Sequence, residues 1–366
     1  MEDSKTKYQE LITVIMQWIE DGSLKPGSKL PSENDLSETY RISRQTVRKA
    51  IGILEEQGIV RRVRGSGTYV NDRRRENLEK HNRVAVITTY LDSYIFPKII
   101  MGIEQSLFER GFSVQMSFTN NTIERERTVL KDILKRDDVA GIIVEGTRSG
   151  LPNPNLDLYR KLMGRNIPIL FINTFYPELK VPHVSINDVE AARGAVDYLI
   201  ACGHSKIGTI QKLDDGQGRL RYLGYLKAMQ GAGLPVCDRN LVWVDTREAE
   251  ELSDSRDKVI KRLQDCSAIL CYNDQIAFQV IKMLRSQGIR IPEDISVVGI
   301  DDSDLARLSE IPITSMSHPK EQMGERAVAM LLEMIEGKTN IKDYEYEAQV
   351  VARGSVKKIM KEERKR

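Results

Sequence analysis

The first 60 residues carry the apolar spacing of three successive helices. Residues 8–19 place their apolar side chains on one face, and Gly22 marks the end of that helix. A second helix begins at Ser32, a predicted N-cap with Asp35 three residues later as in a capping box. A third helix is capped by Ser43 and ends at Gly58. Its predicted buried face consists of Val47, Ala50, Ile51 and Leu54.

Two strand-like runs follow the third helix, at residues 59–63 and 68–70. Residues 64–67 between them read Arg-Gly-Ser-Gly, which predicts a hairpin tip. Three helices followed by a two-stranded wing predict a winged helix-turn-helix, an α+β fold. In such a domain the N-terminal end of the third helix enters the major groove of DNA.

The exposed side chains of this region have the chemistry that reads DNA. Arg44 and Arg48 suit the O6 and N7 acceptors of guanine, and Gln45 suits adenine. Ser43 and Thr46, at the start of the third helix, are placed for phosphate oxygens. At the predicted tip, Arg64 stands beside glycines such as Gly65, which allow the backbone to approach DNA closely.

Four separated blocks resemble the winged helix of the GntR family: residues 29–33, residues 42–50, Gly58 and residues 65–70. The resemblance covers about residues 5–71, so residues 1–71 are predicted to form the DNA-binding domain. In that family an acidic residue of the second helix, the recognition-helix arginines and the wing tip contact the operator. The matching positions are Glu33, Arg44, Gln45, Arg48, Arg64 and Gly65. For Glu33, helix-start electrostatics is the alternative explanation.

Residues 72–82 are predicted to be a charged linker, because one apolar residue among many charges cannot build a core. Arg73, Arg74 and Arg75 either contact DNA phosphates or are simply solvated. From residue 83 onward the pattern changes to apolar strands separated by helices. One series of strands lies at 84–88, 112–118, 140–144 and 167–172, and a second at 206–210, 241–244, 268–272 and 296–300.

This alternation predicts an α/β fold of two doubly wound lobes with parallel sheets. A ligand cleft is then expected outside the carboxyl ends of the strands. Further blocks resemble the sugar-sensing domain of the LacI/GalR family, which is of the periplasmic-binding-protein type: residues 94–104, 203–204, 221–225, 272–277, 291–302 and 314–315. This second resemblance spans about residues 83–355 and implies an effector-binding and dimerisation domain. The hinge helix of that family is missing, and the GntR-like region stands in its place.

The fusion of these two parts resembles the arabinose-responsive repressors of Gram-positive bacteria. Shorter blocks at residues 88–90, 94–97, 144–145, 215–218, 271–274 and 318–320 support that resemblance. It implies L-arabinose as the effector. Sugar sites combine an aromatic face with groups that donate and accept hydrogen bonds. The positions expected to bind the effector are Tyr90, Phe96, Glu145, Asn173, Gln217, Arg221, Asn273, Asp301 and His318.

Alternatives remain open at three of these positions. Asn273 and the neighbouring Asp274 could cap the following helix. His318, near a crossover between lobes, could have a structural role. Asp301 and its neighbours Asp302 and Asp304 do not have the spacing of a cation-binding loop, so no metal site is expected.

Composition and charge refine this picture. The net charge of +2 conceals a value of +7 over residues 41–75 and of +5 over residues 353–366, which leaves −10 for the remainder. A basic segment beside an acidic remainder favours a polyanion-binding module joined to a different one. The function of the basic tail, residues 356–366, is left open. No apolar run is long enough for a membrane span, and no signal peptide is evident, so a cytoplasmic protein without membrane contact is expected.

The sequence distinguishes three classes of function: an enzyme, a sugar-transport component and a transcriptional regulator. An enzyme is not expected, because no catalytic motif is found, and no cofactor is implied. A sugar-transport component does not need a winged helix. The leading hypothesis is a homodimeric transcriptional repressor that binds double-stranded operator DNA and is released by a monosaccharide. The alternative is a regulator, acting even as an activator, that responds to another sugar or to a sugar phosphate.

Overall fold

The computed structural model describes residues 7–25, 27–56, 59–70, 82–91 and 94–359 and divides the chain into two compact units. The first unit is Met1–Asn82 and the second is Arg83–Arg366. Most of the predicted linker 72–82, including Arg73, Arg74 and Arg75, lies outside the described residues. So do Gly58 and, in the tail 356–366, every residue after 359.

The first unit contains three helices and a two-stranded hairpin. They are α1 (Lys7–Glu20), α2 (Glu33–Tyr40), α3 (Arg44–Glu56), β1 (Val60–Val63) and β2 (Gly67–Val70). The two strands are antiparallel, with Val63 paired to Gly67 around the tip. This is the predicted winged helix-turn-helix.

Local sequence signals explain these elements. The Ser32 side chain accepts from the Asp35 amide and the Asp35 carboxylate accepts from the Ser32 amide, so the predicted capping box is confirmed. The Ser43 hydroxyl accepts from the amide of Thr46 at 3.1 Å at the start of α3. The predicted face of α3 is buried in one apolar core with residues of α1, α2 and the wing. That core consists of Leu11, Ile15, Leu30, Leu36, Val47, Ala50, Ile51, Leu54, Val60 and Val70.

The second unit contains two α/β lobes. The strands of the first lobe are β3 (Arg83–Thr88), β4 (Ser113–Phe118), β5 (Val139–Val144), β6 (Ile169–Ile172), β7 (His183–Ile186) and β13 (Tyr344–Tyr346). Its helices are α4 (Phe96–Phe108), α5 (Ile123–Leu134), α6 (Leu156–Gly164) and α13 (Lys320–Ile335). The sheet order is β13-β7-β6-β5-β3-β4, and all of these pairs are parallel.

The second lobe repeats this architecture. Its strands are β8 (Ile207–Lys212), β9 (Leu241–Val244), β10 (Ala268–Cys271), β11 (Ser296–Ile300), β12 (Thr314–Met316) and β14 (Val350–Val351). Its helices are α7 (Asp188–Ala201), α8 (Gly216–Gly231), α9 (Thr246–Glu250), α10 (Arg256–Leu263), α11 (Asp274–Ser286) and α12 (Asp304–Leu308). The order is β14-β12-β11-β10-β8-β9, and only the β12–β14 pair in this sheet is antiparallel.

Two doubly wound lobes confirm the predicted fold class. The apolar pattern missed β7, β12, β13 and β14, which are two to four residues long. The first three also carry polar residues, such as His183 and Ser315. Such short strands give no periodicity to read, and the neighbouring strands decide their pairing. Among the described residues, no helix has the length and apolar character needed to cross a membrane.

Between residues 94 and 359 the chain crosses from one lobe to the other at residue 187, at residues 317–319 and at residues 347–349. These crossings are bonded to one another. The Asn187 amide donates to the Tyr346 carbonyl at 2.9 Å, and the Ser317 amide donates to the Gln349 carbonyl at 2.8 Å. They form one hinge on the side of the sheets occupied by β7 and β12.

Candidate functional site

The predicted DNA-binding residues lie at two places in the first unit, the start of α3 and the wing tip. Arg44, Gln45 and Arg48 are exposed on α3, as the sequence predicts for a recognition helix. The hydroxyls of Ser43 and Thr46 lie 2.8 Å apart and close the first turn of the helix. The same two hydroxyls stand beside the free amides of the helix start, which is a favourable position for a phosphate.

The wing tip presents backbone as well as charge. Arg64 and Gly65 are exposed, and Gly65 has a φ of +76°, which an L side chain rarely adopts. The wing is tied to the recognition helix, because the Arg62 guanidinium donates to the Arg48 carbonyl at 3.3 Å.

Glu33 is the first residue of α2 and faces α3. Its Oε2 accepts a hydrogen bond from Nε of Arg48 at 2.7 Å. The acidic and basic positions that the sequence assigned separately to operator contact are therefore partners in this structure.

The second unit holds a cleft of about 420 Å³ between its lobes, at the carboxyl ends of the strands. Both lobes contribute to the lining. Of the nine predicted effector residues, seven line the cleft: Tyr90, Phe96, Glu145, Asn173, Gln217, Asn273 and Asp301. The loops after β3, β5, β6, β8, β10 and β11 bring them together.

One wall of the cleft is aromatic. Tyr90 and Phe96 lie with ring centroids 5.9 Å apart and tilted by 57°, and Phe96 begins α4. The Tyr90 hydroxyl donates across the cleft to Glu250 Oε1 at 3.0 Å. Flat apolar faces of this kind pack against the C–H face of a sugar ring.

Beside the aromatic wall, the first lobe contributes a buried carboxylate to the cleft. Oε2 of Glu145 accepts from the amide of Thr89 at 2.8 Å and from its hydroxyl at 2.5 Å. Oε1 accepts from Nδ2 of Asn173 at 3.2 Å. Burial raises the pKa of Glu145 to about 7, with a smaller contribution from nearby Asp215, against the lowering effect of the Thr89 and Asn173 hydrogen bonds.

Asn173 leaves an open acceptor in this cleft. Its side chain is buried and its Oδ1 has no hydrogen-bond partner among the described residues. A buried amide oxygen without a partner is unfavourable, and a ligand hydroxyl would satisfy it. Asn273 both lines the cleft and caps α11, because its Oδ1 accepts from the Ile276 amide at 3.0 Å.

Arg221 and His318 are not among the residues that line the cleft. Arg221 is 1% exposed and lies beneath the floor, where it donates to Asp188 at 2.7 Å and to Asp301 at 3.3 Å. It also donates to the Tyr272 carbonyl at 2.5 Å. In this conformation the guanidinium supports Asp301 from below. Burial raises the pKa of Asp188 to about 6, although Arg221 opposes that rise.

His318 lies in the hinge segment 317–319. Neither of its ring nitrogens has a partner among the described residues, and burial lowers its pKa to about 4. His318 is thus buried in a crossing between the lobes and is not one of the residues that line the cleft. Asp274 likewise does not line the cleft, because its carboxylate accepts from Ser303 and Ser315.

Sequence reasoning did not select a second group of cleft residues. Asp215 Oδ2 accepts from Tyr272 at 2.8 Å and from Lys212 at 3.3 Å, and Tyr272 also donates to Gln217 Oε1 at 3.3 Å. Lys212 and Tyr272 sit at the ends of β8 and β10, so position after a strand was the signal that could have identified them. Lys212 is the one cation among the cleft residues described here, against Glu145, Asp215, Glu250 and Asp301.

Direct hydrogen bonds hold the two lobes against each other. Tyr94 of the first lobe donates to Asp301 Oδ2 at 2.6 Å, and Asn121 donates to the Thr246 hydroxyl at 2.7 Å. The Ser149 hydroxyl donates to Asp215 Oδ1 at 3.1 Å. The lobes are therefore closed on each other around the cleft. Among the described residues, no group of His, Cys, Asp or Glu could hold a metal ion.

Comparison with known proteins places both units. Residues 7–70 match the gntR family of bacterial regulatory proteins, and residues 196–356 match the periplasmic binding protein-like domain. The chain is 35% identical to the arabinose metabolism transcriptional repressor of Geobacillus stearothermophilus, over 98% of this chain and 100% of the relative. It is 38% identical to the repressor of the same name from Halalkalibacterium halodurans, over 91% of this chain and 90% of the relative.

Solved structures show the same architecture. A complex of the transcriptional regulator CelR with cellobiose matches with a TM-score of 0.67 and 25% identity, over 85% of this chain and 90% of that chain. The lac repressor dimer bound to operator and an anti-inducer matches with a TM-score of 0.65 and 21% identity, over 79% of this chain and 99% of that chain.

Proposed function

This chain belongs to the family of the arabinose metabolism transcriptional repressors, and we propose that it represses transcription until a monosaccharide, L-arabinose, releases it from its operator. The observation that carries this proposal is the pairing of a winged helix that exposes arginines with a closed cleft that is built for hydroxyl groups. Similarity over 98% of the chain to a named repressor supports it. A repressor of this kind acts at the chromosome, in the cytoplasm, and needs no catalytic step.

We assign residues 1–71 to the DNA-binding domain, 72–82 to the linker, 83–355 to the effector-binding and dimerisation domain, and 356–366 to the basic tail. The operator contacts are assigned to the start of α3 and to the wing tip. A two-fold symmetric operator requires two such domains, so the active form is a homodimer. The lac repressor dimer, which has the same sensor architecture, supports this part of the proposal.

The chemistry of the cleft favours a neutral polyol over a phosphate ester. Among the described residues that line it, four carboxylates can accept hydrogen bonds from hydroxyl groups, and the one ammonium, that of Lys212, is already paired with Asp215. A dianionic phosphate in this place would meet repulsion without a cationic clamp. A volume of about 420 Å³ lies within the range of small-molecule sites and accommodates a single sugar ring. The sugar-phosphate alternative is therefore disfavoured.

Release from DNA follows from closure of the lobes. A sugar that touches both lobes binds the closed form more tightly. For the sugar to release the operator, the closed form must also bind operator more weakly, and operator and sugar then weaken each other's binding by the same factor. The three crossings of the hinge are the segments about which such a closure would turn. Sugar binding is thereby expected to shift the two DNA-binding domains of the dimer out of register.

Calorimetric titration with pentoses and hexoses tests the effector. The same sugars are then added to the protein bound to a DNA duplex that it has selected from a random library. We expect L-arabinose to bind most tightly and to release the duplex. Asn173→Gly should weaken binding about tenfold, because the open acceptor is lost while the φ of +61° remains favourable. Asn166→Gly is the matched control, since Asn166 also has a positive φ and is exposed away from the cleft. Equal operator binding with and without every sugar would reject the proposed function.

A further inference from the structure

We propose that Glu33 is a positioning residue, which holds the Arg48 side chain for end-on recognition of a guanine and makes no operator contact of its own. This inference rests on the proposed function, because it concerns how the operator is read. The observation that carries it is the 2.7 Å hydrogen bond between Arg48 Nε and Glu33 Oε2.

The bond uses Nε, the one guanidinium nitrogen that end-on recognition does not need. Arginine carries five N–H donors, and the two terminal nitrogens supply four of them. An end-on contact to O6 and N7 of guanine uses one N–H from each terminal nitrogen. With Nε occupied by Glu33, the two N–H groups on the end-on edge of Arg48 remain available, because no partner of its terminal nitrogens is found among the described residues.

The backbone of Arg48 is fixed as well. Its carbonyl accepts from the Arg62 guanidinium of β1 at 3.3 Å, and Arg62 in turn pairs with Glu55 of α3 at 3.4 Å. The recognition helix is therefore tied to the wing at the same residue whose side chain is tied to α2. Holding a long side chain in one orientation before binding reduces the entropy lost on binding.

Stability does not account for this ion pair. The Arg48 side chain is 68% exposed and that of Glu33 is 29% exposed, and pairs this exposed contribute little to folding. Arg44 lies one turn earlier on the same helix face, and no carboxylate among the described residues lies within ion-pair distance of it. The two arginines therefore differ: the Arg48 side chain is held by Glu33, whereas the Arg44 side chain is not held by an ion pair with any described residue.

A carboxylate on a DNA-binding surface also repels phosphates. Glu33 should therefore lower affinity for every duplex while it raises the preference for the correct one. Removing its charge is expected to move specific and non-specific affinity in opposite directions. A residue that only supports the fold would move both in the same direction.

The test measures binding of the full chain to two duplexes by fluorescence anisotropy. One duplex is selected from a random library by the unmodified protein, and the other is a scrambled version of equal length and composition. For Glu33→Gln we expect the ratio of the two affinities to fall about tenfold, within the range for one bidentate base contact, and the scrambled duplex to bind more tightly. Glu38→Gln is the matched control, because it removes a negative charge from the same helix and should leave the ratio unchanged.

A double-mutant cycle distinguishes positioning from direct contact. If Glu33 acts through Arg48, Glu33→Gln should have no further effect on the ratio in an Arg48→Ala background. A direct contact, such as Glu33 accepting from a cytosine amino group, would give the full loss in that background and would overturn the proposal. An unchanged ratio in the single variant would overturn it too. Failure of the unmodified chain to select any duplex would instead reject the proposed function.

Discussion

The proposed DNA-binding surface, at the start of α3 and the wing tip, and the proposed effector cleft use arginine in opposite ways. On α3, Arg44 and Arg48 are exposed, and within the described part of the chain the one partner of their guanidinium groups is Glu33. Beneath the cleft, Arg221 is 1% exposed and held by two carboxylates and a carbonyl. An exposed cation keeps its charge available to an incoming polyanion, whereas the charge of a buried cation is balanced by carboxylates of the protein itself. Arginine is therefore proposed to bind DNA in the first unit, whereas in the second unit it supports the residues beneath the cleft.

Removal of the buried arginine should show the largest effect. Arg221→Met leaves Asp188 and Asp301 buried without their cation, and we expect a loss of about 3–5 kcal/mol in the free energy of unfolding. Urea unfolding followed by Trp243 fluorescence, in a Trp18→Phe background, measures it on the sensor alone. The control is Arg285→Met, which breaks a surface pair with Glu310 at 2.6 Å and should cost less than about 1 kcal/mol. Equal losses for the two variants would show that the buried pairs of Arg221 contribute no more to stability than the surface pair of Arg285.

Removal of an exposed arginine should affect binding and leave stability nearly unchanged. Arg44→Ala is expected to weaken binding to the selected duplex by about 1–3 kcal/mol. Its effect on unfolding should stay within about 0.5 kcal/mol, because the side chain is exposed. Calorimetry of the same preparation with sugar should give an unchanged affinity. A folding defect as large as the binding defect would show that the arginine supports the domain.

The pH dependence of stability should come from the cleft. Because the pKa of Glu145 is about 7 in the folded protein, above its ordinary value, folding takes up a proton at intermediate pH. Stability contributed by this group is greatest below its ordinary pKa and is lost as pH rises to about 7. Glu145→Gln should remove about 2 kcal/mol of that loss between pH 5 and pH 8, as urea unfolding at the two values would show.

Asp188 and Asp274 have pKa values raised in the same direction by burial, so a residual slope is expected in the Glu145→Gln variant. The replacement keeps the shape of the side chain, and its amide oxygen can accept from Thr89. The new NH2 group would face Nδ2 of Asn173, and a flip of the Asn173 amide would bring its open oxygen there to accept. An identical pH profile in the two proteins would show that Glu145 is ionised throughout.

The smallest effect compares two tyrosine hydroxyls. Tyr90→Phe removes the bond to Glu250 that joins the lobes, and it should weaken sugar binding by about 0.5–1.5 kcal/mol. Tyr69→Phe removes a hydroxyl that lies 2.7 Å from Ser66 in the wing and should leave sugar affinity unchanged. Calorimetric titration with L-arabinose measures both variants. A loss in the wing variant would show that the two units influence each other without DNA.

Much of the DNA-binding unit could be predicted because its determinants are local. Apolar spacing gave the buried face of α3, and Ser32 with Asp35 gave the start of α2. The strands that the pattern missed, β7 among them, are short and form where a neighbouring edge accepts them. Of the nine residues expected to bind the effector, seven line the cleft, and resemblance and position after a strand were sufficient to select them.

The sequence by itself determined the helices and the longer strands, and which residue types stand at their ends. Those properties depend on side-chain periodicity and on caps within a few positions. Only the tertiary structure decided which charges meet. Arg221 lies under Asp301, Glu33 bonds to Arg48, and Lys212 is taken up by Asp215. These pairings join residues 3 to 80 positions apart. In the sequence an exposed arginine and a buried arginine are indistinguishable, because packing alone determines their surroundings.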